Sequence, residues 1–307
     1  MFPLLARRNI GLATQLAKMR PFRQSGAMST LQAILIAILQ GATELFPISS
    51  LGHAVVLPAL LNWSLNQRSP EFLPFLVLLH TGTAVALLAY FWRDWLGLGL
   101  GLVGVGGPQR AAEARRMAVL IVVATVPAVI LGFALNAFFR SLFASPVVAA
   151  GFLALNGLVL LFGERLRGAA RGPSKPLTAL TIPDALAIGV WQCGALFPGI
   201  SRAGATIVGG LLRGLDHEGA AHFSFLIAAP IIIGATVLEV PHLLHASVPP
   251  GVFQQAFIAA VAAGLTAWLA TAFLMRYFRR HDDWALNPFA YYCLVAGLGS
   301  VAYLAFY

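Results

Sequence analysis

The chain has little charge, few acids and almost no cysteine. Only 11 of its 307 residues are Asp or Glu and 20 are Lys or Arg, so charged residues make up 10%. Soluble globular domains carry about 25%, and so few charges cannot cover the water-facing surface of a chain this long. Disorder is excluded too, because it requires low hydrophobicity with high charge, whereas 59% of this chain is hydrophobic. Two cysteines, Cys193 and Cys293, exclude a disulfide scaffold and a four-cysteine zinc site. What the chain does have is a set of apolar runs near the ~20 residues that cross a bilayer core, and a mean hydropathy of +0.82. These features describe an all-α polytopic membrane protein and argue against a sheet-based soluble enzyme.

The net charge of +9 is unevenly placed. Arg7, Arg8, Lys18, Arg20 and Arg23 fall in the first 27 residues, which contain no acid. A basic, acid-poor leader has the composition of a transit peptide; we read 1–27 instead as a non-native or disordered leader, with the native chain starting at Met28. The remaining basic residues cluster between apolar segments, as loop charges of membrane proteins do, so the bilayer is an expected partner and nucleic acid is not. Residues 28–307 are expected to form a single membrane domain.

Six full spans are expected, at roughly 72–92, 118–139, 146–163, 222–240, 252–275 and 289–307. Two further apolar regions, 31–62 and 182–213, are each interrupted by polar, Gly- and Pro-containing sequence: Glu44-Leu-Phe-Pro47-Ile-Ser49-Ser50-Leu-Gly52-His53 and Phe197-Pro-Gly-Ile-Ser201-Arg202-Ala-Gly204. Irregular backbone at membrane depth is tolerated only inside protein or along a cavity, so both are read as re-entrant broken-helix hairpins. The breaks resemble each other. Gln40, Phe46-Pro47, Ile48-Ser49 and Gly52 match Gln192, Phe197-Pro198, Ile200-Ser201 and Gly204 at an offset of 151 or 152 residues. Two repeats, about 30–163 and 182–307, follow. Basic residues in 93–117, 164–181 and 276–288 fall on one side if the spans alternate, which makes that side cytoplasmic. Hairpin one then opens outward and hairpin two inward, the arrangement of an inverted-topology repeat with both breaks meeting near the midplane.

Three motifs carry less than they suggest. Gly99-Leu-Gly101-Leu-Val-Gly104 has the spacing of a dinucleotide fingerprint but no preceding strand. Gly199-Ile-Ser201-Arg-Ala203 approaches a hydrolase nucleophile elbow, yet Ala203 replaces the last glycine and no α/β sheet is expected. His242 and His245 have helical metal-pair spacing with nothing to complete a ligand set.

Glu44 is different, being the only acid among the first 70 residues and lying inside an apolar segment. A carboxylate there either caps a broken helix or acts as acid, base or cation ligand, the default for an intramembrane ionisable group. Ser49, Ser50 and His53 share its break, which gives the imidazole and hydroxyls a chemical reading as well. The second break adds Ser201, Arg202 and Thr206. A guanidinium far from either membrane surface needs an anion, and its planar fork suits phosphate. Acid, hydroxyls and imidazole in one break and an anion clamp in the other describe intramembrane phosphoryl transfer on a lipid-borne phosphate.

At these residues the sequence resembles the bacitracin-resistance (BacA-type) undecaprenyl-diphosphate phosphatases. Gln40-Gly-Ala-Thr-Glu44 and Ser49-Ser50-Leu-Gly-His53 are similar to that family's acidic and serine–histidine motifs. Pro198-Gly-Ile-Ser201-Arg202-Ala-Gly-Ala-Thr206 is similar to its arginine motif. The resemblance implies hydrolysis of undecaprenyl diphosphate, recycling of the cell-wall lipid carrier and bacitracin tolerance, in the bacterial inner membrane with a site open toward the periplasm. By motif position it makes Glu44 the essential carboxylate, Ser50 or His53 the attacking group and Arg202 the diphosphate clamp, with Ser49, Ser201 and Thr206 as substrate-binding residues. It further implies Mg²⁺ or Ca²⁺, with Glu44 and Gln40 as candidate ligands, and allows a homodimer. Two departures stand out: Gln40 removes a charge from the acidic motif, and Ala203 removes a hydroxyl beside the arginine. His80, in an apolar span, is read as a core histidine. An inverted-repeat transporter or flippase of a lipid phosphate is the competing class, with Glu44 as the proton-coupling acid.

Overall fold

The computed structural model describes residues 29–61, 63, 72–143, 145–169, 174–245 and 251–306. The side chains of 238–245 are not among them, so the His242/His245 pair and the basic leader both lie outside the described residues. The described residues form helices and no strand beyond one isolated bridge, Lys175 with Leu215.

The first hairpin consists of α1 (Thr30–Leu45) and α2 (Ser50–Leu60). After it come α3 (Phe72–Tyr90), α4 (Trp92–Leu102), α5 (Gly107–Ala134), α6 (Asn136–Phe143) and α7 (Pro146–Ala169). The second hairpin consists of α8 (Ile182–Gln192), a 3₁₀ turn at Cys193–Leu196, and α9 (Arg202–Leu212). It leads into α10 (His217–His245), α11 (Val252–Arg280) and α12 (Asn287–Phe306). Five of these helices are long and apolar enough to cross a membrane, and α3 with α4, bent by 75°, makes a sixth if the pair counts as one span. The chain is a multi-pass membrane protein.

The segment expected as a loop at 93–117 is largely helical, as α4 and the first turns of α5. Gly107-Pro108 opens α5 with proline in the first turn, where its missing N–H costs nothing. The alanines that follow are strong helix formers. Helices α7 and α11 likewise run on through basic residues, to Ala169 and Arg280.

The hairpins are started alike. Ser29 and Gln32 make a capping box on α1, and Thr181 and Asp184 make one on α8, each satisfying helix N–H groups reciprocally. After the break, Ser49 Oγ accepts from Gly52 N at 3.2 Å and Ser201 Oγ from Gly204 N at 3.1 Å, capping α2 and α9. Small residues let each outer hairpin helix approach a long helix of the other half. A Cβ on Gly41 would lie 2.2 Å from the Ala263 carbonyl of α11, and one on Gly189 would lie 2.6 Å from the Ala124 carbonyl of α5. Close approach through small residues is how helices associate without a hydrophobic driving force. Each hairpin thus packs on a long helix of the other half, α1 on α11 and α8 on α5, an arrangement compatible with the expected repeat.

One end of the bundle gathers the basic residues. Arg167 at the end of α7 binds Asp282, which also faces buried His217 at the start of α10. Lys175 and Arg213 share Asp184, Arg116 donates to the Thr178 and Leu180 carbonyls, and Arg279 pairs with Glu218. The second hairpin therefore begins and ends at this basic end. The far tip of the first hairpin, Leu60, packs with Ala149 near the start of α7 and Val301 near the end of α12, at the opposite end.

Candidate active site

The two breaks touch. Asn156, fully buried in the middle of α7, holds them together: its Nδ2 donates to the Pro47 carbonyl at 2.8 Å and its Oδ1 accepts from Ser201 N at 3.0 Å. Ser201 Oγ donates to the Phe46 carbonyl at 3.2 Å. Gly52 passes so close to Gly199 that a Cβ on it would come within 2.9 Å of the Gly199 Cα. Each break contains one residue in the left-handed region, Ser49 at φ 68° and Gly199 at φ 105°. Glycine adopts that conformation freely; a serine there is strained, and such strain persists where surrounding structure over-determines it.

A cavity of about 300 Å³ lies over this junction, with Glu44, Ser50, His80, Gln192, Ser201 and Arg202 on its polar wall and residues of α3, α5 and α10 completing it. Glu44 is buried at the end of α1. Ser50 Oγ donates to Glu44 Oε2 at 2.5 Å, and Gln40 Nε2 donates to the same oxygen at 2.9 Å. The Arg202 guanidinium stands 3.5 Å from Glu44 Oε1 and is steadied by the Ser224 carbonyl at 3.3 Å. A buried ion pair at this separation has a weak direct bond and leaves the guanidinium fork facing the cavity, where an anion can complete it.

His80 belongs to this site. Its Nδ1 lies 2.7 Å from the Leu76 carbonyl and must donate to it, so Nε2 accepts from Gln40 at 3.0 Å, 3.5 Å from Glu44. The two hydrogens of the Gln40 amide thus go to Glu44 and His80. The reading of His80 as core is corrected: a histidine one helix away in space, 36 residues on in sequence, carried no local motif to mark it.

Three expected contacts are placed elsewhere. His53 donates from Nδ1 to the Ser49 carbonyl at 2.6 Å and accepts at Nε2 from the Tyr292 hydroxyl at 2.7 Å, with its ring stacked on Tyr292 and off the cavity wall. Thr206 lies behind Arg202, bonded to the Arg202 carbonyl at 2.8 Å and to Ser224 Oγ at 2.6 Å. Ser201 lines the cavity, but its hydroxyl already joins the two breaks. Helical spacing puts His53 on the Ser50 face and Thr206 on the Arg202 face; one turn deeper along α2 and α9, the Ser49 carbonyl and Tyr292 take up the ring and the Arg202 carbonyl and Ser224 take up the hydroxyl.

Sequence reasoning also missed Asn156, whose signal was available: it is the one amide inside an otherwise apolar stretch of α7. Gln192 had been noticed only as a repeat marker. It is buried, lines the cavity, donates from Nε2 to the Ala124 carbonyl at 3.0 Å, and its Oε1 has no partner.

The donor set fits a divalent cation only in part. Mg²⁺ takes one or two carboxylates with phosphate oxygens completing its shell, and Glu44 meets that description. Gln40 does not, because it turns its N–H groups toward Glu44 and its buried Oε1 lies off the cavity wall. No group of three or more His, Cys, Asp or Glu side chains that could hold a metal ion is found among the described residues.

A model of the family described as "Bacitracin resistance protein BacA" matches residues 33–299. This chain belongs to the BacA family. Its relatives include proteins named undecaprenyl-diphosphatase in Granulibacter bethesdensis, 64% identical over 91% of this chain and 98% of the relative, and in Acidiphilium cryptum, 57% identical over 91% and 99%. Another, in Gluconacetobacter diazotrophicus, is 56% identical over 89% of this chain and 96% of the relative. The BacA match covers both hairpins and every residue of the cavity wall named above.

Proposed function

We propose that this BacA-family chain hydrolyses undecaprenyl diphosphate to undecaprenyl phosphate and inorganic phosphate, recycling the lipid carrier of cell-wall synthesis and conferring bacitracin tolerance. The observation that carries the chemistry is the 2.5 Å hydrogen bond from Ser50 to a carboxylate that also faces Arg202. A serine hydroxyl is a weak nucleophile until an adjacent base takes its proton. In this reading Ser50 Oγ attacks the terminal phosphorus, its proton passes to Glu44 Oε2, and the bond to the bridging oxygen breaks to release polyprenyl phosphate. Glu44 passes that proton to the leaving phosphate oxygen; water then attacks the phosphoserine, Glu44 takes its proton, and the P–O bond to Ser50 breaks to free inorganic phosphate and restore the serine. Arg202 offsets the charge on the phosphoryl group, the main task in phosphoryl transfer. Glu44 is the residue that would hold Mg²⁺ or Ca²⁺, the substrate's phosphate oxygens supplying other ligands, and an ion bound there would supply further charge neutralisation.

Ser50 is favoured over His53 as the attacking group because both ring nitrogens of His53 are engaged away from the cavity. In this reading the basic end of the bundle is the cytoplasmic one and the membrane is the inner membrane, as the positive-inside rule supports. The cavity reaches Ala128 near the end of α5 and Ile231–Thr236 in the second half of α10. Both positions lie toward the other end, which supports a periplasmic opening. The direct test is phosphate release from a long-chain prenyl diphosphate by purified protein, with and without EDTA. Lipid transport without phosphate release would reject the reading.

A further inference from the structure

A second cavity, of about 730 Å³, runs between α3 and α11 on the lipid-facing side. Its floor is made of small residues. A Cβ on Gly82 would lie 2.1 Å from the Ala260 carbonyl, and one on Gly264 would lie 2.9 Å from the Gly82 carbonyl, so the two backbones nearly touch along the bottom. Its walls are apolar and exposed, with Val85 on α3 and Phe257, Val261 and Trp268 on α11. The lining recurs every three or four residues on both helices, from 78 to 89 and from 253 to 268. At 1.5 Å per residue the trough is roughly 16–22 Å long.

The trough is joined to the polar cavity. Thr81 lines the trough and follows His80, which lines the polar cavity. Thr81 Oγ1 is bonded at 2.9 Å to Thr236 Oγ1, and Thr236 is on the polar cavity's wall. One hydroxyl pair thus marks the seam between a cavity with a phosphate clamp and a trough with almost no polar group. A ligand anchored at Arg202 by its phosphates must pass any long apolar tail out of the polar cavity, and Val77, Ile232 and Thr236 line that cavity beside the seam.

We infer that the α3/α11 trough is the subsite for the polyprenyl chain of the substrate, and that it sets a preference for long chains. The inference rests on the phosphatase reading, and its test separates the two. Val85→Trp and Val261→Trp each place a bulky ring in the trough at exposed positions, so the fold has little to lose. Val295→Trp, on exposed α12 surface, is the control. The measured quantity is kcat/KM for a prenyl diphosphate of about C55 divided by that for a C15 prenyl diphosphate. We expect each trough variant to lower this ratio at least tenfold and the control to leave it unchanged. An unaltered ratio in both trough variants overturns the subsite. Independently of turnover, a long-chain polyprenyl phosphate with a photoreactive group along its chain should label peptides of α3 and α11. Labelling confined to other helices overturns the subsite as well. Absence of phosphate release from both chain lengths by the unmodified protein overturns the phosphatase reading, while labelling of α3 and α11 in that protein would keep the trough as a polyprenyl site.

Discussion

The two hairpins are capped, broken and packed by the same devices, yet they carry opposite charges into the cavity. At an offset of 152, Ser49 corresponds to Ser201 and Gly52 to Gly204, and these positions do the same structural work in both. The adjacent positions have diverged. Ser50 corresponds to Arg202 and His53 to Ala205, and where the first hairpin has Glu44 the second has Ala195 and Leu196. The scaffold residues preserve a joint, while the residues between them separate the proposed nucleophile and base from the proposed anion clamp. Two similarly capped hairpins can therefore build one asymmetric site by placing two unlike breaks tip to tip.

That division of labour can be broken one residue at a time. The largest effect is expected from Ser50→Ala, which leaves the clamp and removes the nucleophile. Phosphate release should fall by about 10⁴–10⁶-fold, in line with loss of a serine nucleophile elsewhere. A trapped phosphoenzyme in the native protein should withstand acid, as a phosphoserine does; an acid-labile one would transfer the role to a histidine. Arg202→Ala leaves nucleophile and base in place but removes the clamp. We expect a loss of about 10²–10³-fold, or roughly 3–4 kcal/mol, and near-normal turnover in detergent would reject the clamp assignment.

The joint itself is tested by Asn156→Leu, which leaves the Ser201 N–H without a partner and the Pro47 carbonyl with only the long contact from the Cys293 thiol at 3.9 Å. Each buried unpaired group costs about 1–3 kcal/mol, so the thermal midpoint should fall by several degrees alongside activity. Activity lost with an unchanged midpoint would mean that Asn156 acts on substrate rather than on the joint. His53→Gln should have a smaller effect, within about a hundredfold and mainly on kcat, because His53 supports the Ser49 turn from behind; Tyr292→Phe should be milder still. A loss equal to that of Ser50→Ala would place His53 in the chemistry.

The smallest expected effect lies at the basic end, away from both hairpin tips. Burial opposes ionisation of Asp282, but hydrogen bonds from Arg167 and His217 prevail and hold its carboxyl below the usual carboxylate range. A depressed acid stabilises the fold above its unfolded pKa, near 3.9, and loses that contribution as pH falls through the folded value. Asp282→Asn should therefore flatten the pH dependence of stability below about pH 4 and leave it unaltered near neutrality. An unchanged acid limb would show that the Asp282 pairing contributes nothing measurable.

Much of the fold was legible because a bilayer reads composition directly. Apolar length marked the spans, and Pro, Gly and ionisable residues within apolar sequence marked the breaks. Helix ends were less legible, since nothing in an Arg- and Ala-containing stretch such as 107–117 distinguishes a helix leaving the membrane from a loop. Within the site, Glu44, Ser50 and Arg202 were visible because each is chemically out of place in its segment. His80 and Gln192 were not, because their roles depend on which helix face meets which neighbour, and Asn156 stood out as a lone amide without any local sign of what it bridges. Motif membership did not reveal that His53 and Thr206, on the same helix faces as Ser50 and Arg202, bond to packed neighbours one turn deeper.

Asn156 joins residues 154 positions apart, Pro47 and Ser201, and Glu44 waits 158 residues for Arg202. During synthesis the first half of the chain is thus complete, hairpin included, while its carboxylate has no guanidinium and its break has no opposing tip. Until hairpin two is made, Glu44 has no guanidinium to face and Asn156 can hold only the Pro47 side of the joint. The two charges of the site therefore meet only once the chain has been made past Arg202, and a chain truncated before it lacks the guanidinium that faces Glu44.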